Sequence, residues 1–220
     1  MSLKRRIRRT VEKKFDRGEV AFANGYEITY LPTRDEWYAR LPPDGKAAIK
    51  RLHSALHADE LADETVRELE RMVEAYPFAP VFYNYLTIAY TRLGMDEEAR
   101  RTTDAVLERI PTYLFARLNR VSELLLEGDE DGILALLGPS LELRDLYPGR
   151  TRYHVSEFAN YYAMVGHFHL LRGDRLRAEA LMLLLAEIAP HEGATEQLAR
   201  DLERPDWPRK LARFAQGLGR

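Results

Sequence analysis

Six histidines and thirty-five carboxylates are the groups from which this chain could build a metal site or an acid–base centre, so their spacing decides what chemistry is open to it. His53 and His57 stand four apart on a predicted helix with Asp59 and Glu60 close by, a spacing that can bring two imidazoles to one metal. The stretch reads His53-Ser54-Ala55-Leu56-His57, without the glutamate that a zinc protease helix places between its histidines. His167 and His169 are two apart and point to different faces of a helix. His154, Ser156 and Glu157 offer an acid–base group, but Ser156 as a helix cap with Glu157 in the first turn accounts for the same residues more simply. There is no cysteine, no glycine-rich phosphate loop and no serine-nucleophile motif. Neither a catalytic centre nor a bound metal or cofactor is expected, and packed core positions are the expected places of His53 and His169.

The elements that would position any site come from a recurrence of glycine, alanine and proline. Pro77 to Pro111 spans 34 residues, as does Gly94 to Gly128, and a fixed period of this size is the mark of stacked supersecondary units. One unit runs Tyr83-x2-Leu86-Thr87-x2-Tyr90, Gly94, Ala99, Thr103 and Pro111; another runs Tyr162-x2-Val165-Gly166-x2-His169, Gly173, Ala178-x3-Met182 and Pro190. Both resemble the tetratricopeptide repeat, W-x2-L-G-x2-Y followed by A-x3-F and P. Weaker units precede and separate them: Ile49-x2-Leu52-His53-x2-Leu56 with Thr65, Leu69 and Pro77, and Arg117-x2-Arg120-Val121-x2-Leu124 with Gly128, Ile133 and Leu137. Gly128 to Gly173 exceeds the period by an insertion between Leu137 and a helix starting near Val155.

The resemblance implies an all-α fold, a right-handed superhelical stack of tetratricopeptide-like helix pairs. Repeats are expected over 46–79, 80–113, 114–158 with the insertion, and 159–192. Residues 193–220 form C-terminal capping helices, and 1–45 hold a basic helix, a small β-hairpin and a linker. The residues themselves say the same of local structure. Phe82, Leu86, Ala89, Tyr90 and Leu93 follow three-and-four spacing, Gly94 closes that helix, and Asp96 opens the next with acids in its first turn.

The chain has 220 residues, 45% hydrophobic and 31% charged, a composition of folded, helix-rich proteins. The longest apolar run, 180–186, is far too short to span a bilayer, and no signal-peptide core follows the basic start, so no membrane span and a cytoplasmic location are expected. Charge is unevenly spread: residues 1–15 carry +6, from seven cations and Glu12, and the remainder carries −8, from 26 bases and 34 acids. Leu3, Ile7, Val11 and Phe15 recur every four residues through the basic tract, which predicts an amphipathic helix. Its Lys4, Arg5, Arg6, Arg8, Arg9, Lys13 and Lys14 would contact RNA, DNA or ribosome, or form the solvated face of a capping helix. Residues 18–31 alternate with a period of two, predicting a hairpin. A two-residue Asn24-Gly25 turn would pair Phe22 with Glu27 and mix the faces, whereas a three-residue loop of Ala23, Asn24 and Gly25 gathers Val20, Phe22, Tyr26 and Ile28 on one face and is the preferred register.

In tetratricopeptide proteins the first helix of each pair lines a concave groove that holds peptides or helices. Carried onto this chain, the groove presents Lys50, Ser54 and His57 from the first unit and Asn84, Ile88 and Arg92 from the second. Phe115, Leu118, Ser122 and Leu125 follow from the third, and Asn160, Ala163, His167 and Leu170 from the fourth. Lys50, Asn84 and Arg92 suit the family's clamp for a terminal carboxylate, but Ser54 and Leu118 leave that clamp incomplete. The expectation is a non-enzymatic scaffold or adaptor binding a protein partner, as peptide or helix, or a second copy of itself. The alternative is an anion-binding adaptor acting through the basic N-terminus.

Overall fold

A computed structural model of the chain describes residues 12–15, 19–31 and 35–204. The fold is mostly helical, with eleven helices among the described residues and a small sheet at the N-terminal end. Two compact units divide it, residues 34–120 forming one and the N-terminal sheet with residues 121 onward the other. These units cross the boundaries read from the repeat spacing.

In the first unit α1 (Glu36–Arg40) precedes two helix pairs, α2 (Pro43–Leu56) with α3 (Asp63–Ala75) and α4 (Pro80–Arg92) with α5 (Asp96–Arg109). Residues 114–120 open α6 (Leu114–Glu127). Pro43 and Pro80 stand in the first turns of α2 and α4, where a missing N–H costs nothing. Leu52, Leu56, Leu69, Phe82, Leu86 and Ala89 form the core of this unit with Ala48 and Ala99. Ala99 sits buried at the start of α5, so α4 and α5 approach closely there. Leu93, expected on the apolar stripe, is instead the cap residue of α4 and is 43% exposed.

The recurring glycines share one physical role. Gly94, Gly128 and Gly173 have φ of 70°, 74° and 74°. After each, a backbone N–H reaches back five residues: Met95 to Tyr90 O at 2.9 Å, Asp129 to Leu124 O at 3.0 Å and Asp174 to His169 O at 2.8 Å. This is the Schellman closure, in which a left-handed glycine lets the chain satisfy the last helical carbonyls and turn back.

The second unit contains α7 (Glu130–Leu137), α8 (Leu143–Leu146), α9 (Val155–Leu171), α10 (Arg175–Ile188) and α11 (Gly193–Leu202). Its sheet has strand order β1 (Glu12–Phe15), β2 (Glu19–Ala23), β3 (Tyr26–Thr29), β4 (Arg152–His154). Two expectations are corrected here. Residues 12–15 pair with β2 as a strand and do not form part of the expected basic helix; a partner strand at hand outweighs the four-residue apolar spacing. Residues 1–11, with Lys4 to Arg9, lie outside the described residues.

The hairpin also takes the other register. Phe22 pairs with Glu27 and Ala23 with Tyr26, so the loop is Asn24-Gly25, with φ of 52° and 82°. Both residues are left-handed, as the two-residue hairpin turn requires, and Asn-Gly is the dipeptide that adopts it most readily. The buried face is therefore Ala21, Ala23, Tyr26 and Ile28, while Phe22 is 37% exposed. The small alanines let the sheet lie close to what covers it, an advantage that counting only large apolar side chains hides.

The insertion after Leu137 supplies β4, which pairs parallel to β3 with Glu27 opposite Arg152 and Thr29 opposite His154. Glu142 in the same insertion accepts hydrogen bonds from Tyr26 Oη at 2.9 Å and Tyr162 Oη at 2.6 Å, joining hairpin to α9. Tyr26 packs edge-on against Tyr153 with ring centroids 5.4 Å apart, and Phe158 lies 4.6 Å from Tyr162. Twelve residues of α9 are buried, making it the central helix of the unit. His154, not Ser156, caps α9: its Nδ1 accepts from the Ser156 N–H, and Glu157 accepts from the His154 N–H. Arg150 clasps Glu157 with two hydrogen bonds, at 3.0 and 2.6 Å.

Candidate partner-binding surface

The first helices of the two pairs, α2 and α4, lie against one another in the unit spanning 34–120. The core stripe of α2 is Gly45, Ala48, Leu52 and Leu56. Residues one step round the helix, Lys50, His53, Ser54 and His57, are exposed and follow three-and-four spacing, which puts them on one face. From α4 the neighbouring face adds Asn84 and Tyr85, half-buried, with Ile88 37% exposed and Arg92 exposed. Asn119 continues the row from α6, its Nδ2 donating to Asn84 Oδ1 at 3.4 Å.

Among the residues expected to line a groove, this brings together Lys50, Ser54, His57, Asn84, Ile88 and Arg92. Arg92 has a second employment: its guanidinium donates to the carbonyls of Leu56, Ala58 at 2.9 Å and Asp59 at 3.0 Å, closing the otherwise orphan C-terminus of α2. It remains a charge on this face while its N–H groups are engaged. Phe115 is half-buried beside Tyr113, ring centroids 5.7 Å apart. Leu118 is only 4% exposed, so a charge placed there would strike the packing of the protein and not an outward surface.

The remaining expected residues lie in the second unit. Ser122 is exposed, with its hydroxyl 3.6 Å from Met164 Sδ; Leu125 is 6% exposed; Asn160 donates back to Ser156 O at 2.8 Å. His167 is buried by the protein itself, Nε2 lying 3.0 Å from Asp201 Oδ2. Burial pushes the Asp201 carboxyl up, but hydrogen bonds from His167 and Gln197 and the charges of His167 and Arg204 outweigh it and hold it below the ordinary range. This pair fastens α11 to α9. Gly166 on the same face would, with a side chain, collide with Leu198 of α11.

The histidines fall out differently from expectation. His169 is buried as expected, and burial lowers its imidazole. His53 is exposed: the helix phase set by Gly45, Ala48, Leu52 and Leu56 leaves it at the edge of the stripe. It stacks on His57 with ring centroids 4.3 Å apart and lies 5.9 Å from the Tyr85 ring. Partial burial and then the charge of His57 lower the His53 imidazole, and burial pushes the Tyr85 phenol up to about 12. His57 Nδ1 meets the His53 carbonyl at 2.8 Å, the geometry of a donated hydrogen bond that fixes the ring. No group of three or more metal-ligating side chains occurs among the described residues.

His53, Tyr85 and Asn119 are the members of this face that the repeat pattern did not mark. Reading the helix phase from Ala48, Leu52 and Leu56 alone would have found His53. A separate cavity of about 250 Å³ is floored by Tyr83, Leu86 and Tyr90, with Glu98 and Arg101 paired at 2.8 Å on its rim. No helix of the described residues is long and apolar enough to cross a membrane. Comparison of the chain with models of known families, with curated proteins and with solved structures gave no match.

Proposed function

We propose that this protein is a non-catalytic interaction scaffold in which helix pairs stack as a right-handed superhelix of tetratricopeptide-like repeats, and that the outward face of α2 and α4 docks a protein segment. The observation that carries this reading is the row Lys50, His53, Ser54, His57, Asn84 and Ile88 on two adjoining helices, exposed or half-exposed. The core of that unit is built from the other stripe of the same helices. The shared glycine closures at 94, 128 and 173 and the buried alanines at 99 and 178 support the repeat reading.

The experiment is retention of protein from native lysate on immobilised wild type and on Ile88→Glu. The expected result is a retained band lost with the variant while far-UV circular dichroism stays unchanged, because Ile88 already faces outward. Equal retention by both would refute docking at this face.

A further inference from the structure

Charge in the unit spanning 34–120 is sorted by helix. The first helices, α2, α4 and residues 114–120 of α6, carry six cations, Lys46, Lys50, Arg51, Arg92, Arg117 and Arg120, against one carboxylate, Asp44. The second helices, α3 and α5, carry ten carboxylates against five cations. The one carboxylate on the first helices accepts a hydrogen bond from Tyr76 at 3.1 Å. The helices α2 and α4 are thus net cationic in a unit whose second helices are acidic, and oppositely charged surfaces select one another.

A nucleic acid fits this face poorly. Nucleic-acid affinity comes chiefly from lysines and arginines that neutralise phosphates, whereas at least three of the six cations direct their guanidinium groups to the protein's own oxygens. Arg51 pairs with Glu68, Arg92 caps α2, and Arg117 donates to Pro111 O at 2.7 Å. What stands outward is compact: Lys50, two stacked imidazoles, an amide at Asn84 and an apolar contact at Ile88. That combination suits carboxylates on a polypeptide with an apolar side chain nearby.

Resting on the docking face proposed above, we propose that its partner is an acidic protein segment, with Lys50, His53 and His57 facing carboxylates and Ile88 seating an apolar side chain, and that docking tightens on mild acidification. The charged and titratable groups on the elements around the histidine pair are Lys50 and Arg51 on α2, Asp59 and Glu60 in the turn after it, Glu68 on α3, and Tyr85 and Arg92 on α4. In the free protein the two imidazoles are stacked, so charging both brings like charges together. A bound carboxylate offsets that repulsion and favours the imidazolium form. The complex therefore holds more protons than the free protein, and affinity rises as pH falls through the histidine range. It falls again only where the partner's own carboxylates protonate.

The test uses the full chain and a fluorescein-labelled synthetic peptide of repeated glutamate–glutamate–leucine, its glutamine counterpart, and labelled poly(U), followed by fluorescence anisotropy. The acidic peptide should bind, and about fourfold more tightly at pH 6.0 than at pH 7.5 if one imidazole is raised by about one unit. Lys50→Glu should abolish this binding, and His53→Gln with His57→Gln should remove the gain in affinity between pH 7.5 and pH 6.0. Equal binding of the glutamine peptide, still lost in Ile88→Glu, would overturn the acidic-partner inference and leave the docking face standing. Binding of poly(U) in preference to the acidic peptide, or of neither peptide, would overturn it as well.

Discussion

Replacing Gly166 by alanine sets a local gain against a tertiary clash, and the balance reports whether α11 packs on α9 as described. Removing an interior glycine from a helix is worth about 0.5–1 kcal/mol in backbone entropy. The new Cβ, however, would lie 2.7 Å from Leu198 Cδ2 and 3.1 Å from Cδ1. Optimal carbon contacts are about 3.5–4.0 Å, so Leu198, which is wholly buried, must move by about an ångström. Overpacking of this kind costs about 1–3 kcal/mol, leaving Gly166→Ala destabilised by up to about 2.5 kcal/mol. Leu198→Ala alone should cost about 2–5 kcal/mol. In that background the colliding methyls are gone, so Gly166→Ala should stabilise, and the sign of its effect reverses. The coupling measured by the four-protein cycle should reach about 1–3 kcal/mol. Urea unfolding followed by circular dichroism supplies the energies, and amide hydrogen exchange of α9 assigns them to this unit. If Gly166→Ala stabilises by the same amount in both backgrounds, the helices do not meet at this glycine and the reasoning fails.

Ala99→Leu inserts three heavy atoms between α4 and α5 and should cost about 1–3 kcal/mol; an unchanged thermal transition would put α5 in another register. Gly25→Val forces a β-branched residue into the φ of +82° that the hairpin turn requires, and should cost at least about 1 kcal/mol. Nothing lies within 4 Å of a Cβ there, so the loss would be one of backbone conformation alone, read as faster amide exchange in β2 and β3.

The features legible in the amino-acid sequence were those enforced by a single residue's conformational needs. Gly94, Gly128 and Gly173 mark helix ends because only a left-handed residue closes them, and Ala99 and Ala178 mark close approaches because they are small. The hairpin was legible from its alternation, but its register was not, since ranking side chains by apolar size favoured burying Phe22 over Ala21 and Ala23. Turn geometry at Asn24-Gly25 outweighed that preference. β4 escaped notice because three residues, Arg152 to His154, carry no alternation of their own; it is a strand because β3 has an edge to fill.

Of the candidate surface, Lys50, Asn84 and Ile88 were legible as helix positions one face away from the core. Leu118, Leu125 and His167 were misplaced for one reason: a spacing pattern gives the direction of a side chain from its own helix and nothing about what is laid over it. His167 faces away from the α9–α10 pair, yet α11 covers it. His53 erred the other way, since one residue of drift in helix phase carried it from core to surface.

The parallel pairing of β3 with β4 has a consequence for synthesis. Glu27 and Arg152 are partners, so the ribosome must add 125 residues (152 minus 27) after the hairpin before its open edge can be filled. At about 5–20 residues per second that interval is about 6–25 s, far longer than the microseconds a hairpin needs to form. Throughout it β3 presents unpaired backbone groups, a template for wrong strands. The residues made meanwhile, 34–120, have a core of their own and can fold while the hairpin waits. A nascent chain stalled before residue 152 should therefore depend on chaperones at its N-terminal end, and the dependence should vanish once β4 has cleared the exit tunnel.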